Sequence, residues 1–268
     1  MKAFKEFSRE DKSFWFFVRF ASEKLHYTEK GSDSIKSYTK QDIENLCTKE
    51  GIDATPDQIS QLVRYSKKRA ELLNNTVKNY LMDLEDAKRE FNKLYSERRY
   101  KSKFIMNKQS GDKKAINYYT AIITMIAEKI LGGSEEFDPD PHGLIYILKN
   151  RKIIGASSRR FDGAYPSIYS PKIVWKVKEY YYTKSFGSRV ADAVYETQLD
   201  GYEFNEILNR TGENVHHVIL IDGYYTFWVK GKSYLCRFID ALNMGLIDDL
   251  IIGREVLTEW EKILQDFK

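Results

Sequence analysis

Residues 159–182 of the chain read RRFDGAYPSIYSPKIVWKVKEYYY, and this stretch decides the fold. The run from Lys172 to Lys178 is rich in β-branched and aromatic residues and follows turn residues, which is typical of a strand. Side chains alternate along a strand, so Lys176 and Lys178 point to one face of an otherwise apolar strand. Buried ammonium groups need acidic or phosphate partners, so this strand is a candidate functional site.

Strand-like and helical patterns extend on both sides of this stretch. Short apolar runs predict further strands at residues 144–148, 152–155, 217–222 and 250–253. Apolar residues at helical spacing predict helices throughout residues 13–131 and again at 188–210, 233–244 and 256–267. We therefore predict an α/β (α+β) fold, with a helical region over residues 1–110 and a mixed-sheet core flanked by helices over residues 111–268.

The longest helical pattern runs from Thr55 to about Tyr100. Thr55 and Pro56 supply an N-cap and a proline in the first turn. The pattern predicts one long amphipathic helix or a helical hairpin. Its charged face suits an arm that dimerises or lies along DNA, or the solvated face of a helical subdomain.

The composition excludes several classes of protein. The 268 residues include 43 Lys and Arg against 39 Asp and Glu, and the net charge of +4 is too small to indicate nucleic-acid binding by itself. Cys47 and Cys236 lie far apart, so no zinc motif and no disulfide framework is present. No stretch approaches the roughly 18 apolar residues of a membrane span, and we see no export signal, so we expect a cytoplasmic protein without a membrane anchor.

Asp162 and the run Lys176-Val177-Lys178 resemble the motif of the PD-(D/E)xK nuclease superfamily, and within it the restriction endonucleases. In that motif an Asp on one strand converges with an Asp or Glu that lies two residues before a Lys on the next strand. The resemblance implies that Asp162 is the first Mg²⁺ ligand and Lys178 the lysine that assists the attacking water. The Val177 carbonyl would complete the metal shell. The second acid should stand at position 176, where this chain has Lys176.

A lysine cannot ligate Mg²⁺, which takes hard oxygen ligands, so three explanations stay open. The site is a catalytically disabled form of a Glu-Val-Lys motif. Alternatively, the carboxylate has moved, and Glu196, Asp192 or Glu179 supplies it. In the third case the resemblance misleads and the strand is structural.

Other residues gain a role through the same resemblance. Glu128, on the helix before the first strand, occupies a place where the superfamily often presents a further acid to the metal; a solvated surface glutamate is the alternative. Gln198 and Tyr202 are spaced i, i+4 on one helix face, as in an element found beside the core of some exonucleases. Cleavage of both strands implies a homodimer, and a restriction enzyme implies a possible companion methyltransferase.

Gln198 and two segments are candidates for DNA contacts. The first is basic and interleaved with tyrosine and phenylalanine, and its cations are Arg98, Arg99, Lys101, Lys103, Lys108, Lys113 and Lys114. The second is a polar loop that leads into a helix N-terminus, with Lys184, Ser188 and Arg189. A polar linker and ordinary helix capping are the respective alternatives.

We therefore expect a Mg²⁺-dependent, restriction-type endodeoxyribonuclease that cleaves double-stranded DNA. A non-catalytic DNA-binding or assembly subunit with the same fold is the main alternative, and its signature would be tight, salt-sensitive binding without cleavage. A nuclease for RNA or single strands is a third, because the 19 Tyr and 15 Phe could stack on bases.

Overall fold

The computed structural model describes residues 1–8, 10–106, 115–132, 137–181 and 188–268. It combines helices with a mixed sheet, which confirms the predicted α+β class. The helices are α1 Lys12–Leu25, α2 Lys40–Glu50, α3 Pro56–Leu72, α4 Lys78–Tyr80, α5 Leu84–Glu97, α6 Tyr118–Leu131, α7 Ser188–Thr211, α8 Lys232–Asn243 and α9 Glu261–Gln265. The strands are β1 Tyr146–Lys149, β2 Lys152–Ala156, β3 Gly163–Tyr165, β4 Ile173–Glu179, β5 His216–Asp222 and β6 Asp249–Ile252.

The first three helices form a small bundle around aromatic side chains. Asp11, Thr39 and Thr55 cap them, each accepting hydrogen bonds from the first backbone amides of its helix. The buried rings of Phe7 and Tyr65 meet edge to face in this bundle, with centroids 5.1 Å apart.

The helical pattern over residues 55–100 forms two successive helical segments rather than one. The first runs without a break over residues 56–80 and includes α3 and α4, and the second is α5. A π-helical turn at Leu73–Val77 continues α3 into α4, and the backbone of Leu81 is extended (ψ 130°). Asp83 then caps α5 by accepting a hydrogen bond from the Asp86 amide. Helix α5 packs its buried residues against α6. The boundary at residue 110 between the two regions stays a prediction.

The main sheet has four strands in the order β3-β4-β5-β6. β3 is antiparallel to β4, whereas β4, β5 and β6 are parallel to one another. β1 and β2 form a separate antiparallel hairpin. Each predicted strand run contains a strand within a few residues of its expected bounds.

Helices cover both faces of the sheet. On β5, Val218 and Leu220 pack into the layer of α5, α6 and α9, whereas Ile219 and Ile221 pack into the layer of α7 and α8. This alternation follows from the two-residue period of a strand. Each face of the sheet therefore belongs to a different helix layer, and the face that carries Lys176 and Lys178 is the one beside α7.

No helix within the described ranges is long and apolar enough to cross a membrane.

Candidate functional site

Asp162 lies immediately before β3 and is tied to the neighbouring strand β4. Its amide donates a hydrogen bond to the Trp175 carbonyl (3.0 Å), and its Oδ2 accepts one from the Val177 amide (2.7 Å). The next residue, Gly163, faces the Trp175 indole so closely that a Cβ there would lie 2.0 Å from the ring. These contacts hold the Asp162 carboxylate beside the strand segment that bears both lysines.

Lys176 is buried, with 4% of its surface exposed, and forms an ion pair with Asp200 of α7. Asp200 is fully buried, and its Oδ1 has no hydrogen-bond partner among the described residues. The Lys176 ammonium also lies 4.6 Å from the centroid of the Phe161 ring. The lysine at the position of the expected acid thus has the carboxylate partner that its burial demands.

Lys178 forms a second ion pair with the same helix. Its Nζ donates to Glu196 Oε2 (2.7 Å), and the other oxygen of Glu196 pairs with Arg159. Glu196 and Asp200 are four residues apart and share one face of α7, just as the two lysines share one face of β4. The strand and the helix therefore meet through two parallel lysine–carboxylate pairs.

The pKa values in this cluster reflect burial and opposite charge. Burial raises the pKa of Asp162, and the Val177 amide and the charges of Lys178 and Lys176 only partly oppose that rise. Burial likewise raises the pKa of Asp200 despite the nearby Lys176. For Glu196, burial is outweighed by Lys178, Lys176 and Arg159, so its pKa is lowered. For Lys178, burial lowers the pKa, but Tyr180, Glu196 and Asp162 together raise it above the usual value.

The charges of the cluster balance. The cluster contains three acidic and three basic side chains: Asp162, Glu196 and Asp200, and Lys176, Lys178 and Arg159. A Mg²⁺ ion needs free hard oxygen ligands, and it would meet two ammonium groups beside Asp162. Within the described residues no group of three or more His, Cys, Asp or Glu side chains could hold a metal ion. With lysine at position 176, the residues around Asp162 therefore do not fit a Mg²⁺ centre.

Two carboxylates named as candidate metal ligands lie elsewhere. Glu179 points to the opposite face of β4 from the lysines and caps α6, accepting from the Thr120 amide (3.0 Å) and hydroxyl (2.9 Å). Burial raises its pKa to about 7. Glu179 is therefore no substitute for the missing acid beside Asp162. Asp192, the third residue considered for that role, is exposed on α7.

Glu128 is buried rather than solvated, with 3% of its surface exposed. Its carboxylate accepts hydrogen bonds from the amides of Lys101 (2.9 Å) and Ser102 (2.8 Å), and Arg98 lies 3.7 Å away. Glu128 thus fastens the basic segment to α6, and the structure does not bring it to the Asp162 cluster.

The candidate DNA-binding residues are placed in several parts of the molecule. Arg98, Arg99, Lys101 and Lys103 are exposed next to α5, and the Arg98 guanidinium lies 5.3 Å from the Tyr100 ring centroid. Ser188 and Arg189 are exposed at the start of α7. Lys108, Lys113, Lys114 and Lys184 lie outside the described residues. Gln198 lines a cleft away from the Asp162 cluster, and Tyr202 lines another.

Asp200 and Arg159 are the members of the cluster that sequence reasoning did not assign. Asp200 could have been predicted, because buried lysines need acidic partners and Asp200 lies one helical turn after Glu196, on the same helix face. Arg159 gave no such signal, since its contact with Glu196 bridges 37 residues.

The fold and the cluster define an α+β protein with a charge-balanced site between a central strand and the helix that follows it. Residues 82–267 match the model of a family described as a domain of unknown function, DUF7687, and residues 1–76 match a second described in the same words, DUF7690. The DUF7687 match covers more than half of the chain, so the chain belongs to that family. No curated protein and no solved structure matches it.

Proposed function

We propose that this chain is a restriction-type endodeoxyribonuclease core whose metal site is closed, in this sequence, by Lys176. The observation that carries the proposal is the hydrogen bond of 2.7 Å from the Val177 amide to Asp162 Oδ2. Asp162 thus lies beside the strand segment that bears Lys178, and Lys176 stands where the resemblance expects the second acid. Both are properties that the resemblance to the PD-(D/E)xK nucleases requires of a disabled site.

The neighbours of position 176 support this interpretation. Asp200 is buried and has one oxygen without a partner, and only Lys176 forms an ion pair with it among the described residues. A glutamate at position 176 would stand beside Asp162 and Asp200, three carboxylates that repel one another unless a cation joins them. The ammonium of Lys176 supplies a tethered cation at this place. Lys178 keeps its own ion pair with Glu196 (2.7 Å) in this arrangement.

Lys176→Glu tests the proposal. We expect the parent chain to leave supercoiled plasmid DNA intact and the variant to cleave it in Mg²⁺, with a difference of orders of magnitude, because two or three carboxylates would then face the ion. The variant should also melt at a higher temperature in Mg²⁺ than in EDTA, and the parent should not.

The matched control is Lys172→Glu, which makes the same charge change at an exposed lysine of the same segment. This control should stay inert, and Asp162→Asn added to Lys176→Glu should abolish the gained cleavage. Equal activity of parent and Lys176→Glu, or equal inertness without any Mg²⁺-dependent melting shift, would show that the closed-site interpretation is wrong.

The migrated-ligand alternative makes a different prediction. If the parent itself cleaves DNA, Glu196→Gln should abolish that cleavage, because Glu196 is the helix carboxylate that contacts Lys178 (2.7 Å). The comparison is Glu206→Gln on the same helix, because Glu206 is exposed and pairs with Arg210 rather than with the cluster. Full activity of Glu196→Gln would eliminate the migrated ligand.

A second candidate function is DNA binding without cleavage. The charge balance of the cluster favours the absence of cleavage, because Lys176, Lys178 and Arg159 offset the three carboxylates without a metal. The exposed cations next to α5 are the candidate contacts to DNA. The mark of this function is duplex binding that weakens steeply with salt while the DNA stays intact in every divalent metal tried. Competition with single strands and RNA shows which nucleic acid the chain prefers.

A further inference from the structure

A cleft of about 820 Å³ lies where the N-terminal helices meet the core. Residues from α1 and the turn after it form one wall, and residues from α7 and α8 form the other. Small-molecule sites commonly occupy roughly 300–1,000 Å³ and lie at such junctions. The cleft is therefore large enough to enclose a ligand of several ring systems.

This cleft is separate from the Asp162 cluster. Helix α7 presents Tyr195 and Gln198 to the cleft, whereas Glu196 and Asp200 contact the lysines of β4. Adjacent positions on a helix point about 100° apart, so a single helix serves both places on different faces. A ligand in the cleft would not touch the lysine–carboxylate pairs.

The charge lining the cleft favours an anion. Arg19, Lys30 and Arg237 line it, and none of them forms an ion pair with any residue in the described ranges. Two acids also line it, Glu23 and Asp240. Asp240 is neutralised by Arg69, whose NH1 lies 2.9 Å from its Oδ1. Three cations therefore face one uncompensated carboxylate.

Aromatic side chains contact Arg237 and offer a stacking surface. The Arg237 guanidinium donates to the Tyr195 hydroxyl (3.5 Å) and interacts with Tyr27. The Tyr195 side chain is 56% exposed, so the ring is accessible to a planar ligand. Arginine with a partly exposed tyrosine is the combination that binds a phosphate and an adjoining base.

We propose that this cleft binds a nucleotide, with its phosphate on Arg237, Arg19 and Lys30 and its base stacked on Tyr195. The nucleotide is either free or the end of a single strand, since both present the same phosphate and base. The inference does not depend on the proposed nuclease function, because the cleft shares no side chain with the Asp162 cluster.

Calorimetric titration of the whole chain tests the site with four probes: deoxyadenosine 5′-monophosphate, deoxyadenosine, inorganic phosphate, and a 5′-phosphorylated single strand of four nucleotides. We expect saturable binding of the monophosphate, of the tetranucleotide, or of both, and at least tenfold weaker binding of deoxyadenosine and of phosphate. A free nucleotide as ligand predicts that the monophosphate binds more tightly than the tetranucleotide, and a strand end predicts the reverse.

Arg237→Gln should weaken the tighter of these interactions at least tenfold. Arg210→Gln is the matched control, because Arg210 is an arginine of α7 that pairs with Glu206 and lies outside this cleft. Tyr195→Leu, at a largely exposed position, gives an independent variant in which only the stacking surface is removed. Unchanged melting temperatures show that each variant is folded.

Three results would overturn the proposal. One is no binding of either nucleotide probe by the folded parent chain. Another is nucleotide binding that neither Arg237→Gln nor Tyr195→Leu weakens. The third is inorganic phosphate binding as tightly as the monophosphate, which would indicate a simple anion site.

Discussion

At the scale of single residues, burial decides how the charged groups of this protein behave. Asp222 is fully buried at the end of β5, and burial raises its pKa to about 8 although Tyr181 and the amides of Met82 and Gly223 donate hydrogen bonds to it. Its register partner on β4 is Glu179, whose pKa is raised to about 7. Two neighbouring carboxyl groups are thus protonated in the folded protein at pH values where they would ionise in the unfolded chain.

The raised pKa of Asp222 predicts a pH-dependent stability. The unfolded carboxyl ionises near pH 3.8 and the folded one near pH 8, so this group stabilises the fold fully below pH 3.8 and loses that contribution as the pH rises to about 8. In Asp222→Asn the contribution is absent. We expect the free energy of unfolding of the parent, relative to the variant, to fall by more than about 1 kcal/mol between pH 5 and pH 8.

Urea denaturation of both proteins at several pH values measures this difference. Taking the difference cancels the titration of groups that both proteins share, including the buried His217, whose pKa burial lowers to about 3. A parent-to-variant difference that stays constant from pH 5 to pH 8 would contradict the prediction.

At the scale of elements, the sequence predicts which side chains share a face of a strand or helix. It does not predict contacts between residues that lie far apart in the chain. The two-residue period of β4 predicts that Lys176 and Lys178 share a face, and the structure places both beside α7. The same period places Glu179 on the opposite face, where it caps α6. Asn117, at the start of α6, makes no side-chain cap. The Thr120 amide is capped instead by Glu179, which lies 59 residues after Thr120 in the chain.

The break between α4 and α5 shows a second limit of sequence reasoning. Apolar spacing continues from α3 into α5 without a glycine or proline, so periodicity alone cannot separate one long helix from two. Asp83 marks the start of the second helix, because it caps α5. In the sequence alone, an aspartate at this position is equally compatible with the solvated face of one long helix. Glu128 is similar: its charge predicts exposure, and only the fold shows that the amides of Lys101 and Ser102 surround it.

At the scale of the whole molecule, a buried ion pair joins the N-terminal helices to the core. Arg69 of α3 is fully buried, and its NH1 contacts both oxygens of Asp240 on α8, at 2.9 and 3.1 Å. The Tyr65 hydroxyl donates to the same carboxylate (2.6 Å). The two regions are therefore connected through a largely buried carboxylate that Arg69 and Tyr65 contact together.

Removing one member of this pair should be costly, because it leaves the other charge buried and unpaired. We expect Arg69→Met to lower the free energy of unfolding by about 3–5 kcal/mol, and Arg69→Met with Asp240→Leu to lower it by less than the sum of the two single substitutions. Urea denaturation measures all three variants. The exposed pair Lys67–Glu71 on the same helix is the control, and Lys67→Met should change stability by less than about 1 kcal/mol. Additive losses at Arg69 and Asp240 would show that the pair does not couple the two regions.

The ion pair of Arg69 and Asp240 bears on how the segments 1–76 and 82–267 are inherited. Arg69 lies in the segment 1–76 and Asp240 in the segment 82–267, so within the described residues each segment carries a buried charge that pairs with a charge of the other segment. Recombination could join one segment to an unrelated sequence. The buried charge of that segment would then have no partner of opposite charge. The two segments should accordingly be inherited as one gene, and substitutions at positions 69 and 240 should arise together.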